Sequence, residues 1–112
     1  NNHGNHLRDF TSIKDVIKIC TKIFYKKFLN NKIYNVCSNN PQKIKKVFEL
    51  IQKEYGNIKY KNIEKNNADV LNTHGDNSFI KKDIKIKRFE NFKTELVDII
   101  KWYRNIKKYN LF

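Results

Sequence analysis

A small, mainly α fold is what this sequence predicts: three main helices, with a short fourth helix or a β-hairpin between helices 2 and 3. Three observations carry that expectation. Apolar residues recur at helical spacing in three segments. The chain holds only three Gly and one Pro, too few for a turn-rich sandwich. Two short stretches that alternate apolar and polar residues lie between the second and third helical segments.

The elements follow in order. Residues 1–9 are polar and read as a disordered lead-in, and 10–112 read as one helical domain. The absent initiator Met reads as a domain excised from a larger protein. Phe10, Ile13, Val16, Ile17, Cys20, Ile23, Phe24 and Phe28 share one helical spacing, with Thr11 or Ser12 as N-cap. Helix 1 is thus expected from about residue 12 to about residue 30. Its core side chains are read as Phe10, Ile13, Ile17, Cys20, Phe24 and Phe28.

An Asn-rich loop follows, with Ile33, Tyr34 and Val36 as an apolar island. Asn40 and Pro41 read as the cap and first residue of helix 2, which carries Ile44, Val47, Phe48 and Ile51 inward and stops at Gly56. Residues 58–61 and 84–87 alternate and suit short strands, although 58–66 suits a helix nearly as well. The run from Thr73 to Asn77 reads as a turn. Helix 3 buries Phe92, Leu96, Ile99, Ile100 and Tyr103. Glu95 and Asp98 lie near its start and Lys101, Arg104, Lys107 and Lys108 in its second half, which suits the helix dipole.

Charge comes next. Lys, Asn and Ile account for 21, 17 and 15 residues, a bias an AT-rich genome produces. Such a bias does not deplete acidic residues, yet 24 basic residues face only 11 acidic ones, a net charge of +13. A field of that sign attracts polyanions. Lys14, Lys18, Lys22 and Lys26 form a ridge along helix 1. Lys101, Arg104 and Lys108 form a second stripe beside Trp102. Lys81, Lys85, Lys87 and Arg88 lie between them.

Phosphate contacts need only cations at backbone spacing, and aromatic residues among them suit base stacking. The sequence therefore predicts a non-catalytic, nucleic-acid-binding (RNA or DNA) module of low sequence specificity. The alternative is an assembly domain for an acidic or helical protein partner, marked by an exposed apolar patch at Tyr34, Val36 or Trp102.

No catalytic apparatus is legible, so no enzyme is expected. The run Thr73-His74-Gly75-Asp76 holds suitable residue types, but a triad is assembled from separated segments. There is no Walker loop and no dinucleotide fingerprint, so no cofactor is expected. His3, His6, His74, Cys20 and Cys37 give no metal-ligand spacing. Two lone cysteines suit a reducing, intracellular compartment, and no apolar run reaches the ~20 residues of a membrane span. Lys59-Tyr60-Lys61-Asn62-Ile63, with Asn66, resembles a stretch of PUB domains, but the Pro-containing loop and Gly-containing helix that flank it there are missing, so no family is assigned.

Overall fold

The amino-terminal residues pair with the rest of the chain from the start. In the computed structural model, which describes residues 2–26 and 32–108, Leu7–Arg8 form a strand, β1, antiparallel to Gln42–Lys43, β2. Leu7 lies opposite Lys43 and Arg8 opposite Gln42. On its other edge, Leu7 N–H donates to the Leu71 carbonyl at 3.1 Å and the Leu7 carbonyl accepts from Thr73 N–H at 3.1 Å. Within the expected lead-in, Leu7–Arg8 are thus a strand held on both edges, with His6 buried beside it. Its polar composition concealed this, because the pairing is made by the backbone.

Four helices follow among the described residues: α1 Ile13–Phe24, α2 Ile44–Tyr55, α3 Ser78–Ile84 and α4 Phe92–Lys108. The mainly helical class, with a short helix between the second and last main ones, is as the sequence predicts. Ser12 caps α1, its Oγ accepting from Lys14 N–H at 3.2 Å. The helix stops at Phe24, short of the expected end. Phe28 lies outside the described residues.

Helix α2 begins three residues after Pro41. Gln42 and Lys43 are held in β2, and Pro, lacking an N–H, sits at the strand's mouth and not in a helix. Gly56 ends α2 at φ 108°. Residues 84–87 are not a strand. Ile84 closes α3, Lys85 caps it in the left-handed region (φ 53°, ψ 50°), and the chain swings so that Ile86 returns to the interior. Residues 58–66 form neither strand nor helix.

The core is a cluster of Ile19, Ile80, Ile84 and Ile86, with Ile23, Tyr34, Val36 and Phe89 packed on it. Asn77 is buried beside it and donates to the Cys37 carbonyl at 2.8 Å. Helix α2 packs on α4, and each buries one apolar residue, Val47 and Ile100. The Tyr55 and Tyr103 rings add a contact at 5.9 Å.

This corrects the expected core of α1. At about 100° per residue, its apolar residues fall in two adjoining arcs. Ile19 and Ile23 face inward with Asp15, whereas Ile13, Ile17, Cys20 and Phe24 are exposed. On α4, Ile99 and Tyr103 are also exposed. The molecule is thin, 50 × 39 × 23 Å, with a radius of gyration of 17.1 Å; about 13 Å is usual for a domain of this length.

Candidate functional site

Arg8, which ends β1, and Asp9, just after it, clamp two loops. Arg8 donates to the Leu7, Leu71 and Val70 carbonyls and, at 2.8 Å, to Asp69. His6 Nδ1 lies 3.3 Å from the same carboxylate.

Asp9 accepts from the Ser38 hydroxyl and from the N–H groups of Asn39, Asn40 and Gly75. Burial opposes its charge, but these hydrogen bonds outweigh burial and hold its carboxyl below the usual carboxylate range. Gly75 is the required residue here: a Cβ would stand 2.7 Å from that of Cys37.

A second set of contacts joins the start of α1 to α4. Lys14 Nζ lies 2.7 Å from Glu95 and 3.5 Å from Asp98, and the Ser12 hydroxyl donates to Glu95. The Lys14 bond, then the Ser12 bond, lowers the Glu95 carboxyl below its ordinary value. Buried Asp15 accepts from Glu90 N–H at 2.9 Å, which fixes the segment entering α4.

Two clefts adjoin along this seam, and Phe10 and Phe92, their rings tilted at 40° with centres 5.2 Å apart, line both. The first, about 460 Å³, is lined by Lys81, Lys87, Arg88 and Glu90, with Ser38, Asn40 and Asn91. Phe89 lies in its wall, with the Lys81 ammonium 5.7 Å from the ring centre. Neither Lys87 nor Arg88 has an ion-pair partner among the described residues. Cations, amides and aromatic rings in one cleft can hold a planar, anionic ligand. The second cleft, about 660 Å³, is apolar, with Ile13, Val47, Leu96, Ile99 and Trp102 in its walls.

The residues singled out from sequence are scattered over these features. Lys87 and Arg88 enter the first cleft, and Lys85 serves as the cap of α3. Lys14 is tied to α4, and Lys26 donates to the main-chain oxygen of Asp83. Arg104 donates to the Tyr55 carbonyl at 2.8 Å and stacks over that ring. Lys18, Lys22, Lys101 and Lys108 are exposed. Trp102 is exposed too, at 59%, and faces the apolar cleft. Tyr34 and Val36 pack on the core and offer no patch.

Sequence reading missed Arg8, Asp9 and Asp15. Their signal was available: charged residues beside an apolar run, too few to be mere surface in a chain short of acids. No helix among the described residues is long and apolar enough to cross a membrane.

No family model matches the chain. It is 24% identical to the protein CapI of Staphylococcus aureus across an alignment of 120 residues, covering 91% of this chain and 36% of that protein. Its fold is similar to part of a UDP-glucose 4-epimerase from Thermotoga maritima, solved with UDP-glucose (TM-score 0.81, 17% identity, 93% of this chain, 33% of that one). A dTDP-glucose 4,6-dehydratase from Bacillus anthracis, solved with NAD, gives a TM-score of 0.76 at 21% identity, with 94% of this chain and 33% of that one covered.

The chain therefore spans about a third of the length of the proteins it matches. These likenesses correct the expectation that no enzyme is involved: the fold recurs as part of a UDP-glucose 4-epimerase and of a dTDP-glucose 4,6-dehydratase.

Proposed function

We propose that this chain is one part of an NAD-dependent enzyme that modifies the sugar of a nucleoside diphosphate sugar. The observation that carries the reading is the fold likeness to a UDP-glucose 4-epimerase across 93% of the chain. The first cleft supports it. Lys81, Lys87 and Arg88 offer cations to a diphosphate, and Phe10, Phe89 and Phe92 offer rings to a base.

NAD itself does not fit these residues. Dinucleotide sites use a Gly-rich turn between a parallel strand and a helix. Here Gly4, Gly56 and Gly75 stand far apart in sequence, and the sheet among the described residues is a two-stranded antiparallel pair. The cofactor is held by other residues than these, and this chain's share of the work is binding and orienting the sugar nucleotide.

The test is turnover. The polypeptide carrying this chain is incubated with NAD and either UDP-glucose or dTDP-glucose, and the sugars are resolved by NMR. A changed sugar is expected, with KM raised about tenfold or more when Lys87 and Arg88 are both replaced by Glu, as for loss of charge-assisted hydrogen bonds. No turnover of either sugar, together with no UDP binding by calorimetry, would falsify the reading.

A further inference from the structure

A cleft built for phosphate alone has no use for a carboxylate, yet Glu90 lines the basic cleft beside Lys81, Lys87 and Arg88. Glu90 has no ion-pair partner among the described residues. Next to a diphosphate, a bare carboxylate repels. Its place there needs another reason.

The stretch that carries Glu90 is pinned at two points. Phe89 packs on the isoleucine cluster, and the Glu90 N–H donates to Asp15 Oδ2 at 2.9 Å. Asp15 is itself only 2% exposed, so the anchor is buried and the Glu90 backbone is held before any ligand arrives. A recognition group needs that preorganisation. Phe10, Glu90 and Phe92 line both clefts, which sets the carboxylate beside the two rings. Along the chain it lies between Arg88 and Phe92. The order is cation, carboxylate, ring.

A nucleoside diphosphate has a matching order: diphosphate, ribose, base. An ionised carboxylate only accepts hydrogen bonds, and its two oxygens suit two neighbouring hydroxyls. Ribose offers such a pair at its 2′ and 3′ positions, and deoxyribose keeps one of them. Acidic side chains read the ribose hydroxyl of dinucleotides by the same chemistry. We propose that Glu90 reads the ribose in this cleft, accepting from its 2′ and 3′ hydroxyls while Lys87 and Arg88 hold the diphosphate and Phe10 and Phe92 the base. The inference rests on the function proposed above and narrows it: the substrate is a ribonucleotide sugar, and a deoxyribonucleotide sugar is disfavoured.

The probes are UDP and dUDP, which differ in the 2′ hydroxyl alone, so neither the base nor the hexose enters the comparison. Calorimetry on the polypeptide carrying this chain is expected to show UDP bound about tenfold more tightly, as for one hydrogen bond to a charged group. Glu90→Ala brings the two affinities within about twofold of each other. Glu90→Gln, which keeps one acceptor oxygen, shows an intermediate preference. Equal binding of UDP and dUDP by the unaltered protein overturns the inference and leaves the nucleotide reading standing. A preference that survives in Glu90→Ala, with both nucleotides weakened by the same factor, overturns it too and gives Glu90 a structural role. Turnover of dTDP-glucose in preference to UDP-glucose sinks it while upholding the enzyme. Binding of neither nucleotide, with no turnover, removes both readings together.

Discussion

The isoleucine cluster beneath α3 and the groove between α1 and α4 are built from the same kinds of side chain. Ile80 is wholly buried, whereas Ile13 and Ile99 are more than half exposed. Composition does not separate them. The cluster is closed from three directions by α1, α3 and the loop carrying Tyr34 and Val36, while the groove has walls and no roof. An apolar face thus becomes a core only where the same chain returns to cover it.

Four changes probe that difference, the largest first. Ile80→Ala empties the closed cluster and is expected to destabilise the chain by about 3–4 kcal/mol, read by urea unfolding. An effect under about 1 kcal/mol would mean the cluster is not the core. Asp9→Ala releases the Ser38–Asn40 loop and Gly75 together, for a loss of about 2–3 kcal/mol. Gly75→Ala drives a methyl into Cys37 and is expected to lose about 1–3 kcal/mol. Ile17→Lys, in the open groove, should change the stability of the isolated chain by no more than about 0.5 kcal/mol. A large loss there would show that the groove already has a cover.

A pH series sharpens the same contrast. Asp9 and Glu95 both have folded-state carboxyls below their ordinary values. The stability they contribute is therefore present above the unfolded value, near pH 4, and is lost as pH falls through the folded values. Unfolding curves between about pH 5 and pH 2 should show that decline. Asp9→Asn should remove its share of the slope, while Ile17→Lys leaves the slope intact.

The three main helices were legible because each obeys local rules. Ser12 caps α1, Gly56 stops α2, and the apolar stripe of α4 runs with its charge gradient. The rotation of α1 was not legible. Ile13, Ile17 and Phe24 are as apolar as Ile19 and Ile23, and only α3, more than fifty residues away in sequence, decides which arc is buried. The strand at Leu7 escaped for a related reason. Its partners are backbone groups of residues 42–43 and 71–73, which leave no trace in side-chain periodicity. The site was obscured by abundance. Lysines lie along every helix, so Lys87 and Arg88 differed from the others only by the aromatic residues that tertiary structure brings beside them.

The closeness of Gly75 to Cys37 has a practical consequence for anyone handling the protein. The two thiols lie in opposite circumstances: Cys20 open, Cys37 covered, with burial and then the nearby Asp9 carboxylate raising its pKa and so suppressing the reactive thiolate. An alkylating reagent added for a short pulse counts them separately by mass. The first adduct reports whether the surface of α1 is free, and the second appears only in molecules whose loops have parted, so one spectrum grades assembly and integrity in the same sample.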